Sequence, residues 1–130
     1  MLITNDVGKI IFPELSYEIM GLAFDVFNKI GWGHTENVYH RALEVALAKK
    51  GIKFCSEKFV SIEYEGEKIA RKFLDLLVED SIILELKVSP QMGYVHINQV
   101  MSYLKSTNMK LAILIYFTKD GVKSRRIINA

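Results

Sequence analysis

The apolar segment of residues 73–88 reads FLDLLVEDSIILELKV, and three ionisable side chains interrupt it outside its predicted turn at Glu79–Ser81. Asp75, Glu85 and Lys87 lie among neighbours that are almost all strand-forming hydrophobes. Burying a charge without a partner costs far more free energy than the packing of its neighbours returns. The segment therefore predicts that the three groups act together, either as a structural ion pair or as a site that holds a cation.

The length of the turn between the two halves of this segment decides which side chains meet. Side chains alternate along a strand, so Glu85 and Lys87 share one face, roughly 6–7 Å apart. A three-residue loop, Glu79–Ser81, would place Asp75 directly opposite Glu85, with Cβ atoms about 5 Å apart. A two-residue loop would put the two carboxylates on opposite faces of the sheet.

In the first of these registers, two carboxylates and one ammonium group meet on one face. Two like charges at that distance repel unless a proton or a cation relieves them, and Lys87 offsets only one negative charge. A divalent ion held by Asp75, Glu85 and the backbone carbonyl of Leu86 would neutralise the remainder. Oxygen ligands of this kind favour Mg²⁺ or Mn²⁺ over zinc. A structural ion pair between Lys87 and one carboxylate remains the alternative interpretation.

Two further segments carry polar groups at helical spacing. His96, Gln99 and Tyr103 follow one another at i, i+3 and i+7, so they share one helix face and could orient a phosphate, a water or a metal-binding carboxylate. Glu36 lies in the first turn of a predicted helix, where the helix dipole favours a carboxylate. Both patterns are also typical of structural roles, and His34 and His96 read most simply as surface or structural histidines.

The remainder of the chain predicts the elements that must position these groups. Apolar spacing and turn residues predict helices at Ser16–Gly31, Thr35–Lys50 and Val95–Ser106, and strands at about 54–64, 68–78, 82–88, 111–118 and 122–128. The order α-α-β-β-β-α-β-β indicates an α/β fold with a mixed sheet flanked by helices. The helices are expected to bury two apolar stripes, Ile19, Met20, Ala23, Phe24, Phe27 and Ile30 in the first, and Val38, Ala42, Val45 and Ala46 in the second.

Composition places the chain among ordinary globular proteins. Its 130 residues predict one domain, residues 16–130, preceded by an N-terminal arm, residues 1–15. Its longest apolar run, Leu111–Phe117, is too short to span a bilayer, and the first residues resemble no signal peptide, so we expect a cytoplasmic protein with no membrane partner. The single cysteine, Cys55, excludes an internal disulfide and a cysteine-based zinc cluster.

Together these motifs resemble one known family. Asp75 followed by Glu85-Leu86-Lys87 resembles the Asp…Glu-x-Lys signature of the PD-(D/E)xK nuclease superfamily. Gln99-Val-Met-Ser-Tyr103 is similar to the Gln-x-x-x-Tyr motif of its RecB-type exonuclease branch. Gly33-His-Thr-Glu36-Asn-Val-Tyr39 is similar to the signature of the small bacterial and archaeal GxxExxY proteins, which implies a prokaryotic source. The resemblance covers about residues 16–128.

The resemblance implies a restriction-endonuclease-like core and Mg²⁺- or Mn²⁺-dependent hydrolysis of phosphodiester bonds in DNA, or less readily in RNA. By position, it implies metal binding by Asp75, Glu85, the Leu86 carbonyl and Glu36, and catalysis by Lys87, Glu36, Gln99 and Tyr103. Relatives often carry Arg two residues before the Asp, whereas this chain has Phe73. The phosphate contact made by that Arg is therefore not expected.

Basic residues are the candidates for contact with the nucleic acid, since they attract phosphates without reading sequence. They are Arg71 and Lys72, then Lys119, Lys123, Arg125 and Arg126 near the C-terminus, with Lys49, Lys50, Lys53 and Lys58 as a second group. Two other functions stay open: a catalytically weak nucleic-acid-binding or regulatory module, and a homo-oligomeric interaction domain that uses Trp32, Met92 and Tyr94. A homodimer is also compatible with a nuclease.

Overall fold

Five strands form one mixed sheet in the order β1-β2-β3-β4-β5. The computed structural model describes residues 12–90 and 95–129. Its elements are α1 (Pro13–Ile30), α2 (Glu36–Lys49), β1 (Phe54–Tyr64), β2 (Glu67–Val78), β3 (Ile82–Val88), α3 (Val95–Thr107), β4 (Leu111–Thr118) and β5 (Gly121–Ile128). The predicted order and the α/β class are confirmed.

The two faces of the sheet are covered by different helices. β3 and β4 are parallel, and the other neighbouring strands are antiparallel. The α1/α2 face buries Leu84, Leu86, Ile113, Ile115 and Phe117, and the α3 face buries Ile83, Ala112, Leu114, Tyr116 and Ile127. β4 is buried along its whole length, which is why it reads as a continuous apolar run.

The predicted apolar stripes of α1 and α2 are confirmed in part: Ile19 and Ala23 are buried, Met20, Phe27, Ala42 and Ala46 pack against the core, and the other four predicted residues are exposed. α1 buries Ile19, Leu22, Ala23 and Val26, whereas Phe24 and Ile30 are exposed. α2 buries Tyr39, His40, Leu43 and Leu47, whereas Val38 and Val45 are exposed. Neighbouring stripes share the same helical spacing, and in α2 the chain buries the one with the longer apolar side chains because it removes more surface from water.

The ends of the first two helices agree only in part with the predictions. α1 begins at Pro13, so Ser16, predicted as its N-cap, is instead buried within the helix. Proline suits the first turn of a helix because its missing N–H would have no partner there. Gly31 ends α1 as predicted, with φ 75° and its N–H bonded to the Phe27 carbonyl at 2.8 Å. Thr35 precedes α2 as predicted, but its side chain makes no capping bond.

β1 and β2 form a hairpin that is much longer than the strand beside it. β3 pairs with β2 only at Leu76–Val78, whereas β1 pairs with β2 along nearly the full length of both strands. Glu57, at φ 54°, interrupts that pairing opposite Asp75. We call the part of the hairpin beyond this interruption, residues 58–73, the β-extension.

Candidate active site

The register between β2 and β3 places Asp75 opposite Glu85. Val78 pairs with Ile82, so the connection is the three-residue loop Glu79–Ser81. Of the two loop lengths considered, the structure has the one that brings the two carboxylates together. The ladder continues to the pair Leu76 and Leu84 and ends there, one residue before Asp75 and Glu85.

At this point side chains replace the backbone ladder. The Asp75 N–H donates to Glu85 Oε1 at 3.2 Å, and the Leu86 N–H donates to Asp75 Oδ2 at 2.8 Å. Each carboxylate therefore accepts a hydrogen bond from the strand opposite its own. We refer to this pair as the crossed hydrogen bonds. They hold the two carboxylates side by side where β2 and β3 separate.

Glu85 is the more deeply buried of the two acids, with 3% of its surface exposed. Burial, and then the neighbouring Asp75 carboxylate, raise the pKa of Glu85 to about 8. The hydrogen bond from the Asp75 N–H and the charge of Lys87 lower the pKa of Glu85, but by less than burial and the Asp75 carboxylate raise it. In the metal-free protein, the carboxylate pair therefore retains a proton near neutral pH.

Lys87 lies on the same face of β3 as Glu85 and contributes positive potential to the site. It lowers the pKa of both Glu85 and Glu36, in each case by less than burial raises it. Among residues 12–90 and 95–129, however, no nitrogen–oxygen distance of 4 Å or less joins Lys87 to Asp75 or Glu85. The structural ion pair considered as an alternative is thus not seen between these described residues.

The start of α2 is fixed to the core by Tyr39, a residue whose role sequence reasoning missed. Tyr39 is fully buried, and its hydroxyl donates to the Gly31 carbonyl at 2.6 Å. Its ring stacks on Phe117 of β4, with 4.3 Å between centroids. Glu36 is the first residue of α2, three positions before Tyr39, so this anchor also fixes the position of Glu36 relative to the sheet.

Glu36 lies within electrostatic reach of the strand residues. Burial raises its pKa most; Lys87 lowers it and Asp75 raises it. His40 and His96 lower the pKa of Glu36 further, so both histidines belong to the surroundings of the site. The sequence did not single out His40, although its spacing of four residues from Glu36 places the two on one helix face.

α3 turns a tyrosine toward the carboxylates. Gln99 Nε2 donates to the Tyr103 hydroxyl at 2.7 Å, and Tyr103 is 3% exposed. Burial raises the pKa of Tyr103 most, and the charges of Glu85 and Asp75 raise it further. Since Tyr103 Oη accepts from Gln99, its own proton is available to another acceptor. His96 lies near Tyr116 of β4, with 6.2 Å between ring centroids.

The basic residues of β5 divide between the two faces of the sheet. Lys123 pairs with Tyr116, which pairs with Lys87, so Lys123 lies in the same row as Lys87, two strands or about 10 Å away. Arg125 pairs with Leu114, which pairs with Glu85, so Arg125 and Glu85 lie in one row of paired residues across the sheet. Arg126 is in the next row and belongs to the α1/α2 face, so the structure does not bring it to the site.

Other predicted contact residues are exposed beyond the carboxylate pair itself or fall outside the described residues. Arg71 and Lys72 are exposed on the β-extension. Trp32 is 42% exposed between α1 and α2. Met92 and Tyr94, proposed with it as an oligomer contact, are outside the described residues, as are residues 1–11 of the predicted N-terminal arm.

The donor atoms at the crossed hydrogen bonds fit a hard divalent cation. Residues 12–90 and 95–129 contain no group of three or more His, Cys, Asp and Glu close enough to hold a metal ion, so Glu36 does not complete such a group with Asp75 and Glu85. The N–H and C=O of a strand residue point to the same side, so the Leu86 carbonyl faces the same gap as its N–H. Two carboxylates and a carbonyl, completed by water, suit Mg²⁺ or Mn²⁺.

Comparison with known proteins assigns the family. The family model of the PD-(D/E)XK nuclease superfamily matches residues 13–127. The chain belongs to this superfamily. The match spans α1 through β5 and includes the segments that carry Glu36, Asp75, Glu85 and Lys87. A search of curated proteins found no match.

One solved structure supports the fold. The PD-(D/E)XK chain is similar to the crystal structure of SSO0001, with 23% sequence identity and a TM-score of 0.59 over 72% of this chain and 49% of that one. It therefore spans about half the length of that protein.

Two more distant likenesses carry no weight for the assignment. One is to an alkaline exonuclease (LHK-Exo) from Laribacter hongkongensis, at 10% identity and a TM-score of 0.46 over 99% of this chain and 73% of that one. The other is to a phage-related exonuclease from Haemophilus somnus 129PT, at 11% identity and a TM-score of 0.47 over 95% and 75%. None of the described helices has the length and apolar character needed to cross a membrane.

Proposed function

We propose that this protein is a Mg²⁺- or Mn²⁺-dependent nuclease that hydrolyses phosphodiester bonds in DNA, and in RNA less readily. One observation carries the proposal: the crossed hydrogen bonds hold the Asp75 and Glu85 carboxylates together beside Lys87. Membership of the nuclease superfamily supports the reaction class. The Gly33–Tyr39 segment and the Gln99–Tyr103 hydrogen bond support placement among the GxxExxY proteins and the RecB-type branch.

Asp75, Glu85 and the Leu86 carbonyl would hold the ion. When bound, it would supply a Lewis acid that polarises the phosphodiester and lowers the pKa of a water molecule. Lys87 would hold the attacking water or stabilise the negative charge that develops on the phosphate. Glu36 would accept hydrogen bonds from waters in the outer surroundings of the ion.

Gln99 and Tyr103 would orient the carboxylates from the α3 side. Gln99 fixes the Tyr103 hydroxyl, whose proton can then be donated to Glu85 or to a phosphate oxygen. Lys123 and Arg125, in the rows of Lys87 and Glu85, would contact the phosphate backbone as it crosses the sheet. Arg71 and Lys72 would do so from the β-extension.

Cleavage of single- and double-stranded DNA by the purified protein tests this proposal. With Mg²⁺ or Mn²⁺ present, we expect cleavage that Asp75→Asn and Lys87→Ala each reduce by about 100-fold or more. The surface ion pair of α1, in which Lys29 Nζ and Asp25 Oδ2 are 3.1 Å apart, supplies matched controls, Asp25→Asn and Lys29→Ala, that should leave the rate unchanged. Cleavage that persists in both site variants refutes the assignment. Metal and DNA binding without cleavage would identify the binding or regulatory module instead.

A further inference from the structure

The β-extension presents two aromatic rings and one arginine on an exposed face. Phe59 and Phe73 are paired across β1 and β2, with 6.0 Å between ring centroids at an angle of 67°. They remain 48% and 58% exposed. The Arg71 guanidinium lies 4.6 Å from the centroid of the Phe59 ring. We call these three residues the aromatic face.

The aromatic face points away from the core that α3 covers. Val60 and Leu74, the strand neighbours of Phe59 and Phe73, pack into the α3-face cluster. Because side chains alternate along a strand, Phe59 and Phe73 project to the opposite side. The two rings thus add nothing to the α3-face cluster, and paired aromatic rings left exposed in this way are typical of a binding surface.

The aromatic face also adjoins the candidate active site. Phe73 is two residues from Asp75, about 6–7 Å along β2. The β-extension begins where β2 separates from β3, which is also where the two carboxylates meet. A flexible polymer lying on the aromatic face would therefore reach the place where β2 and β3 separate, next to the carboxylates.

Charge is unevenly distributed along the β-extension. Lys58, Arg71 and Lys72 occupy the half nearest the site; Arg71 lies on the aromatic face, whereas Lys58 and Lys72 start from the opposite side of the hairpin, beside Leu74 and Val60. The end farthest from the site carries the glutamates Glu63, Glu65 and Glu67 and one lysine, Lys68, which pairs with Glu63. A polyanion is thus attracted to the part that holds the aromatic face and repelled from the tip.

We propose that the aromatic face stacks unpaired bases, so that single-stranded DNA is the substrate class of this site. Every base offers a π-face to an aromatic ring, and an arginine beside the ring adds cation–π attraction and a phosphate contact. In a duplex the faces of the bases are already stacked on each other, so rings of this kind gain little from it. What happens to the bound strand rests on the proposed nuclease function, whereas the stacking itself does not.

Binding by the metal-free protein isolates the stacking step. In a chelating buffer, fluorescence anisotropy is measured with a labelled single-stranded oligonucleotide and with the corresponding duplex. Phe59→Leu and Phe73→Leu keep an apolar side chain but remove the ring. Each should weaken single-strand binding by about 5- to 100-fold and duplex binding by less than about twofold.

Phe24→Leu is the matched control, because Phe24 is also a phenylalanine, is 47% exposed and lies on α1. It should leave both affinities unchanged. An oligonucleotide carrying 2-aminopurine gives a second readout, since its fluorescence falls when the base stacks on a ring. That change should be present with the wild type and Phe24→Leu and absent with Phe73→Leu.

Three results would overturn the proposal: unchanged single-strand affinity in both ring variants, equal losses for single strand and duplex, or a wild-type dimer that Phe73→Leu converts to a monomer without loss of single-strand affinity. The last result would mean that the aromatic face is an interface between two copies. The nuclease proposal is tested separately: metal-dependent cleavage that survives both Asp75→Asn and Lys87→Ala would refute its site assignment. Stacking without cleavage would leave the aromatic face standing and remove the nuclease function.

Discussion

Replacing Glu85 with glutamine is expected to stabilise the metal-free protein above neutral pH, even though it removes a proposed metal ligand. Glutamine keeps an oxygen that can accept the Asp75 N–H, so the hydrogen bond seen at 3.2 Å can persist. It removes a carboxylate that must otherwise lose its proton in a buried position beside Asp75. The expected gain is therefore electrostatic.

The size and pH range of this gain follow from the pKa of Glu85. Folding raises that pKa from 4.5 to about 8, so the folded state holds the proton more tightly than the unfolded state. Below pH 4.5 both states are protonated and nothing is lost; as pH rises toward 8, the wild type loses stability that Glu85→Gln keeps. The difference reaches about 3 kcal/mol at pH 7 and about 5 kcal/mol well above pH 8.

Urea unfolding of both proteins in EDTA, at several pH values from 5 to 9, measures this difference. Glu18→Gln, on the exposed surface of α1, is the matched control and should follow the wild type at every pH. Adding Mn²⁺ should stabilise the wild type, because the ion replaces the proton between the carboxylates, and should stabilise Glu85→Gln much less. Parallel pH curves for the wild type and Glu85→Gln would refute the electrostatic reasoning.

Two further perturbations test how the site is held and how it contacts DNA. Tyr39→Phe removes the donor to the Gly31 carbonyl and should lower the free energy of unfolding by about 1–2 kcal/mol, measured by urea denaturation; no loss would show that this bond does not anchor α2. Lys123→Ala and Arg125→Ala should each reduce the slope of log K against log salt for DNA binding by up to about 1, whereas Lys29→Ala should not change it; equal slopes in all variants would exclude β5 from the interface.

The strands and the carboxylate pair could be predicted because local patterns determine them. The apolar run of β4 and the turn residues around Gly66 and Gly121 mark strand ends without knowledge of the tertiary fold. The meeting of Asp75 and Glu85 depended on one unknown, the length of the Glu79–Ser81 loop. Once that length is known, alternation of side chains determines which groups share a face.

The helix faces and the surroundings of Glu36 could not be predicted in the same way. α2 offers two adjacent stripes with equal spacing, and which one is buried depends on the sheet it packs against. The effect of His40 on the pKa of Glu36 depends on how α2 packs on the face of the sheet, which no local pattern specifies. Tyr39 was identified only as part of a motif. Its partner Phe117 is distant in sequence, and its partner Gly31 lies in the irregular segment that follows α1.

The crossed hydrogen bonds limit which residues can replace Asp75 and Glu85 without loss of the fold. Asp75 and Glu85 stand in for two rungs of the β-ladder, so the atoms proposed for chemistry also hold β2 against β3. Alanine at either position would leave a backbone N–H without its acceptor, which is costly in a buried strand. A related protein that has lost metal binding is therefore expected to carry asparagine or glutamine at these positions. Such amides would identify an inactive protein that still folds.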